Sequence, residues 1–469
     1  MKTRIEHDLL GNKEVSEDAY YGVQTLRAIE NFQDITGVKL GHYPNYIKAL
    51  AMVKHAAAEA NHKLGLISDE VHKAICTACN EIVDGKFHDH FPVDMIQGGA
   101  GTSTNMNANE VIANRALELM GHKKGEYDFC HPNNHVNLSQ STNDAYPTAI
   151  KLALIYMNHE LVTDLKVLVE SFRAKGVEFK DVIKMGRTQL QDAVPMTLGQ
   201  EFEAYAENLS EEIGRLNQMA KLFLEINMGA TAIGTGINSE PEYPAYCVEA
   251  LSKVSGEEFV LAGNLIEATP DTGSYVIYSS ALKRMAVKLS KICNDLRLMS
   301  SGPRCGFGEI NLPAMQPGSS IMPGKVNPVI PEVINQICYK VIGHDLTVTF
   351  AAEAGQLELN VMEPVIVDSI FSSIKMMQRG YGILKNLCID GITANEGRCR
   401  DMVMNSIGIV TALNPTLGYE ASSRVAQRAL AEDRSVYDLV LEEKLLTKDE
   451  LDELLRPENM IQPKKFYKK

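Results

Sequence analysis

Apolar residues recur at steps of three or four along the middle of this 469-residue chain. From Ile150 they fall at Leu154, Met157, Leu161, Leu165, Leu168 and Phe172. Phe202, Tyr205, Leu209, Ile213, Leu216, Ala220 and Phe223 repeat the pattern, and so do Leu282, Met285, Leu289, Ile292, Leu296 and Met299. Such steps keep one apolar stripe on one face of a helix, the arrangement that packs at shallow angles in bundles. Residues 333–350 and 366–387 also read as helices, the first with Pro331 near its opening turn, where a missing N–H costs little. Five helices of this length predict an all-α fold around a long central bundle. Several of them are apolar well beyond one stripe, which predicts burial against other copies of the chain in a pooled helical core, with one large monomeric core as the alternative.

The flanks read differently. Residues 1–142 mix shorter helices with polar loops and form an expected N-terminal helical domain. The bundle is expected over 143–397, and a composition shift near GITANEGRCR opens a small C-terminal helical domain over 398–469. Within that last domain Thr447 and Glu450 have the spacing of a capping box at a helix start.

Composition narrows the classes of partner. The chain is 45% hydrophobic and 23% charged, as globular proteins are, and its net charge is -14. An acidic surface gains nothing by meeting nucleic acid or an anionic membrane, so neither is an expected partner. An anionic substrate would need a local cationic pocket. No run of about 18 apolar residues lacks a charge, so no membrane span is expected. The start, MKTRIEHDLLG, lacks the apolar run of an export signal. Nine scattered Cys fit a reducing cytoplasm, and Cys76 and Cys79, in VHKAICTACNEIV, read as core packing on an amphipathic helix. His131 and His135 in HPNNH sit in a turn without a third metal ligand.

Four segments are rich in small polar residues: QGGAGTSTNMNANE (97–110), NLSQSTND (137–144), GRTQLQDAVP (186–195) and GSSIMPGKVNP (318–328). Each is expected to lead into a helix, offering backbone N–H groups and a positive dipole end to an anion. Capping explains any one of them, but caps rarely need three or four hydroxyls and amides in succession. Nucleotide readings fail. Gly318 and Gly324 have five residues between them where a phosphate-binding loop has four, and Val326 stands where Ser or Thr must hold magnesium. GATAIGTG (229–236) has no expected strand before it and no acidic ribose ligand after it. The remaining tools are hydroxyls, amides, helix ends and Lys325. They suit a substrate with a carboxylate at each end and a reaction that removes a proton next to one of them, where the doubly negative intermediate needs electrostatic support. A Ser can be the base if N–H groups and a cation within about 4–6 Å favour its alkoxide.

GSSIMPGKVNP resembles the signature of the fumarase/aspartase superfamily, helical tetramers that eliminate across a C–N or C–O bond and usually release fumarate. The resemblance covers nearly the whole chain. GGAGTSTNMNANE, NLSQSTNDAYPT, GRTQLQDAVPMTLGQEF, GATAIGTG and SSGPRCGFGEINLP follow in the family's order and spacing. It is nearest to the aspartate ammonia-lyases, down to LLGNKEVSEDAYYGVQTLRAIENF. Fumarases typically carry GRTH and SQSSND, where this chain has Gln189 and Thr142. Gln cannot titrate, which favours deamination of L-aspartate over fumarate hydration, and hydration stays as the alternative, with a non-catalytic helical scaffold behind it. The resemblance implies that Ser319 takes the Cβ proton. Ser320 and the loop backbone would hold the β-carboxylate as it becomes an enediolate, helped by Thr102, Ser141 and Thr142. Lys325, Asn327 and Thr188 would grip the α-carboxylate, and Asn143 would bind the amino group with Gln189 nearby. It also implies a homotetramer whose sites each draw on three subunits, and no required cofactor. Divalent-metal activation occurs in parts of the family, and no metal site is legible here.

Overall fold

A computed structural model of the chain describes residues 2–462. Helices carry most of these residues, and every strand is short. The N-terminal region opens with an antiparallel hairpin, β1 (Thr3–Asp8) and β2 (Gly11–Ser16), followed by α1 (Val23–Phe32), α2 (Pro44–Lys63), α3 (Asp69–Val83) and α4 (Thr102–Leu119). Then comes α5 (Thr142–Glu178), a second hairpin of β3 (Ile183–Thr188) and β4 (Gln191–Thr197), and α6 (Leu198–Ala220). A two-residue strand β5 (Glu225–Ile226), α7 (Tyr243–Ser255), its parallel partner β6 (Val260–Leu261) and the single turn α8 (Leu265–Ala268) precede α9 (Gly273–Met299). Next are β7 (Ile310–Asn311), α10 (Val329–Glu353), α11 (Glu363–Leu387) and β8 (Thr393–Ala394), which pairs with β7. The C-terminal helices are α12 (Glu396–Asn405), α13 (Val410–Leu417), α14 (Tyr419–Glu432), α15 (Val436–Glu442) and α16 (Lys448–Leu454).

The five expected long helices are α5, α6, α9, α10 and α11. On α5 and α9 every residue of the apolar stripe is buried, and each such large side chain is worth about 1.5–3 kcal/mol against exposure. On α6 the stripe departs once. Ile213 is only half-buried, and the neighbouring Glu212 takes the interior place, its charge met by Lys288 Nζ at 2.6 Å. Pro331 is the third residue of α10, inside the first turn as expected.

Two compact units result. The first comprises the chain up to Val162, Gly214–Arg284 and Lys340–Met377; the second comprises Thr163–Ile213, Met285–Tyr339 and the chain from Gln378 on. In the first unit, alanine-rich α2 packs closely against α3 and α7. In the second, the C-terminal helices share a core of Val403, Leu413, Val425, Leu439 and Leu451, into which β3 inserts Ile183 and Met185. The expected capping box at α16 is present: Thr447 Oγ1 accepts from Glu450 N at 3.3 Å, and Thr447 N donates to Glu450 Oε2 at 2.9 Å. Among the described residues no helix is long and apolar enough to cross a membrane.

Three local expectations change. Residues 186–195 do not run straight into a helix but turn back as the β3–β4 hairpin, and α6 begins only at Leu198. A short strand, β5, does precede GATAIGTG; the glycine there serves packing, since a Cβ on Gly234 would lie 2.3 Å from the backbone of Ile266. Pro132–Val136, which begins inside HPNNH and runs one residue past it, forms one π-helical turn. His131 Nδ1 accepts from Asn133 N and Asn134 N, and His135 Nδ1 accepts from His131 N at 2.8 Å, so both nitrogens are engaged by backbone.

Candidate active site

The first unit holds four of the residues singled out from sequence. Gly99, Ala100 and Gly101 take φ of 90°, 54° and 86°, a left-handed run that delivers the chain into α4 at Thr102. Gly101 has no substitute, because a Cβ there would lie 2.5 Å from the Tyr146 ring. Thr102 is thereby exposed at the positive end of an 18-residue helix. Ser141 leads into α5, whose first residues are Thr142 and Asn143. Ser141 Oγ accepts from Asn143 N at 3.2 Å.

Behind these hydroxyls lies a buried polar layer. Lys54, fully buried on α2, donates to Asn105 Oδ1 at 2.7 Å, Asn137 Oδ1 at 2.9 Å and Gln140 Oε1 at 2.8 Å. Asn105 in turn donates through Nδ2 to Thr142 Oγ1 at 3.2 Å. The Thr142 oxygen accepts, so its own proton is free for an outside acceptor. Asp144, also fully buried, accepts from Ser141 N at 2.9 Å, Gly229 N at 3.2 Å and Thr231 N at 2.9 Å. One carboxylate thus staples NLSQSTND to GATAIGTG. Asn143 Nδ2 adds a bond to Ala232 O at 2.8 Å, leaving its side-chain oxygen as the group that can accept from an ammonium. Pro147 offers no N–H to the Asn143 carbonyl one turn back, and Asn227 Nδ2 supplies it instead at 3.1 Å. Burial pushes the Lys54 ammonium down to about 7, against the pull of Asp144. Burial likewise pushes Asp144 up to about 6, against its N–H donors and Lys54.

The second unit holds the other six. Thr188 ends β3, and Gln189 and Leu190 form a two-residue turn with φ of 54° and 62°, the twist a tight hairpin requires. All three are exposed. The hairpin is anchored below its tip: Arg187 donates to the buried Glu309 at 2.7 Å and lies 4.2 Å over the Phe307 ring, while Lys184 pairs with Glu309 at 3.0 Å and with Glu201.

The segment 318–328 is a loop with a pinched neck. Pro317 bridges Val326, Gly318 N donates to Lys325 O at 2.7 Å, and Asn327 Nδ2 donates to Gly318 O at 2.8 Å. Gly318 is required there, since a Cβ would lie 2.7 Å from Lys325 O. Within the loop Ser319 Oγ accepts from Ile321 N at 3.2 Å and Met322 N at 3.0 Å. Two N–H dipoles aimed at one alcohol oxygen favour its charged form. Ser320 and Lys325 are exposed, and Asn327 is half-buried at the neck.

The structure therefore gathers Ser141, Thr142 and Asn143 around one buried network, places Thr102 at the start of the helix that carries Asn105, and sets Ser319, Ser320, Lys325 and Asn327 on one loop. Thr188 and Gln189 stand on a separate hairpin of the same unit as that loop. Sequence reasoning missed Lys54, Asn105 and Asp144. A lone Lys inside ALAMVKHAAAEA was the available signal, and Asn105 and Asp144 lay within segments already singled out.

A family of sequences described as lyases matches residues 11–343, and one described as the fumarase C C-terminus matches residues 409–462. The aspartate ammonia-lyase of Helicobacter pylori is 61% identical over 465 residues, which are 99% of this chain and 99% of that protein. A crystal structure described as fumarate lyase:delta crystallin from Brucella melitensis, bound to cobalt, is 55% identical with a TM-score of 0.95, covering 98% of this chain and 100% of that one. The class II fumarase of Schistosoma mansoni reaches a TM-score of 0.90 at 34% identity, covering 97% of this chain and 98% of its own. Sequence and fold agree along the full length: the chain belongs to the fumarase/aspartase superfamily, on the branch of the aspartate ammonia-lyases.

Proposed function

We propose that the chain deaminates L-aspartate reversibly to fumarate and ammonia. The observation that carries the mechanism is the pair of N–H groups directed at Ser319 Oγ inside a loop whose neck is closed. Ser319, as alkoxide, takes the Cβ proton. The electron pair left behind moves into the adjacent β-carboxylate, giving an enediolate with two negative charges. Ser320, Thr102, Ser141 and Thr142 donate to that group, and Thr142 does so with its acceptor side already filled by Asn105. The pair then returns to form the Cα–Cβ double bond, the C–N bond breaks, and the α-ammonium leaves as neutral ammonia. Lys325, Asn327 and Thr188 hold the α-carboxylate, with Asn143 and Gln189 at the departing nitrogen. Preorganised donors of this kind are each worth about 10²–10³ in rate. The scheme uses side chains and backbone alone, with no cofactor in any step.

The site is assembled in a homotetramer, each copy drawing loops from three subunits, and the enzyme works in the cytoplasm. Support for assembly comes from α10, which leaves Tyr339, Leu346 and Phe350 exposed at 56%, 57% and 66% along one face. The test is parallel incubation of the purified protein with aspartate, malate and argininosuccinate, followed by the ultraviolet absorbance of fumarate. Fumarate and ammonia from aspartate alone are expected. Fumarate from malate alone assigns a hydratase instead, and no turnover of any substrate leaves a scaffold.

A further inference from the structure

Helices α2 and α3 pack against each other along a face that is apolar over most of its length and carries one polar seam. On α2 the seam holds His55, Glu59 and His62, at steps of four and three; on α3 it holds Asp69, His72 and Cys76, at steps of three and four. His62 Nε2 lies 2.7 Å from Asp69 Oδ1, and its ring stacks on His72 at 4.1 Å and 8°. His72 Nε2 lies 3.3 Å from Glu59 Oε1, and Cys76 Sγ lies 3.9 Å from the same oxygen. Donor atoms of His55, Glu59 and Cys76 all fall within 4.8 Å of one another. His55 Nδ1 is buried, yet it has no hydrogen-bond partner among the described residues. A cavity of about 510 Å³, lined by His55, Glu59 and His62 together with Tyr246, Glu249 and Lys253 of α7, opens onto the seam.

We propose that His55, Glu59 and Cys76 form a binding site for a divalent transition ion of the zinc class, with a fourth coordination position facing the cavity. Imidazole, carboxylate and thiolate are the ligand set such an ion takes, whereas magnesium and calcium require oxygen cages. His55 and Glu59, one turn apart, chelate from a single helix face, and Cys76 closes the site from the facing helix. Metal–ligand bonds of about 2.0–2.3 Å require the three donors to draw together, and the long Glu59 side chain has the adjoining cavity to move in. His72 beside the Glu59 carboxylate is the partner that orients a ligating carboxylate. As the metal–sulfur bond forms, the Cys76 proton passes to bulk water. Core packing fits Cys79, which is fully buried; Cys76 has this second role. None of the residues assigned above to the elimination takes part, so the two readings stand or fall apart.

The test uses the full-length chain in a Cys305→Ser background, which removes the exposed thiol. Chelator-treated protein is titrated with cobalt(II) chloride. One cobalt per chain is expected, with a thiolate-to-cobalt charge-transfer band in the near ultraviolet, intense visible bands of four-coordinate cobalt, and stoichiometric displacement by zinc. The charge-transfer band should vanish in Cys76→Ser, and His72→Ala should weaken binding by about 10–100-fold. Circular dichroism checks that each variant folds. Absence of the band in the parent, or its persistence in Cys76→Ser, overturns the site. If Cys76→Ser does not fold, Glu59→Gln decides, because the amide keeps the shape and loses the charge: weaker cobalt binding supports the site, and unchanged affinity removes it.

Discussion

An alcohol oxygen that accepts two backbone N–H groups carries negative charge more readily than one in water, and Ser319 Oγ accepts from Ile321 and Met322. Ser319→Ala deletes that oxygen from a loop and nothing from the core. Turnover should fall by more than about 10³-fold while the circular dichroism spectrum and Tm stay as they were. Lys325→Met should raise KM for aspartate and also lower kcat, because a carboxylate grip is used before and during the reaction; steady-state kinetics separate the two. Both residues stand out as candidates in the sequence, since hydroxyls and an ammonium crowded between glycines and prolines are more than a turn needs. Lys54 was not, because its partners Asn105, Asn137 and Gln140 lie more than 50 residues away and only folding brings them together. Lys54 and Asp144 also make stability depend on pH. The Lys54 pKa falls from 10.5 to about 7 on folding, so between these values the unfolded chain holds the extra proton and stability rises with pH. The Asp144 pKa rises from 3.8 to about 6, so between these values the folded chain holds the extra proton and stability falls as pH rises. The pair therefore places a minimum between about pH 6 and 7. Chemical unfolding across pH 4–10 should show that the double variant Lys54→Met, Asp144→Asn flattens this minimum, whatever its effect on overall stability.

The long helices were readable because steps of three and four, repeated over six or seven residues, can satisfy one face of a helix and nothing else. The β3–β4 hairpin was not. Its strands are short and polar, and Gln189 and Leu190 occupy positions where Asn and Gly are the usual signal, so local sequence argued for a loop. What forms the hairpin is tertiary: Ile183 and Met185 enter the C-terminal core, and Arg187 is held by Glu309. The start of α4 is set by similar means. At Gly101 a positive φ and the Tyr146 ring both exclude a side chain, whereas a Cβ at Gly98 would meet the Phe32 ring at an ordinary 3.9 Å. Gly101→Ala should therefore lower Tm by several degrees and depress kcat/KM together, since it displaces Thr102 and the α5 start at once. Gly98→Ala should leave Tm nearly unchanged. Equal Tm losses in the two variants would mean that the loop, rather than the contact with Tyr146, is the sensitive feature.

A chain that divides its polar segments between two units and leaves Tyr339, Leu346 and Phe350 in solvent has a surface that association would cover. The sequence signalled this as helices apolar beyond one stripe, but it could not signal which loops meet, because that depends on symmetry and not on order along the chain. Phe350→Asp places a charge at the C-terminal end of the exposed stripe. If the proposed tetramer forms through this face, the variant should give smaller species by light scattering and lose activity with the helices intact. A sharper consequence follows from where Ser319 and Thr142 come from. If one site takes its Ser319 from one subunit and its Thr142 from another, two inactive single variants repair each other in mixed tetramers. Ser319→Ala and Thr142→Val, unfolded together at equal concentrations and refolded, would then give a site with both native residues about one time in four, as random assortment over two positions requires. Activity near a quarter of the native value is the expected result, with each variant refolded alone as the control. If both residues of a site belong to the same chain, no mixture can restore it, and recovery stays at the level of the controls.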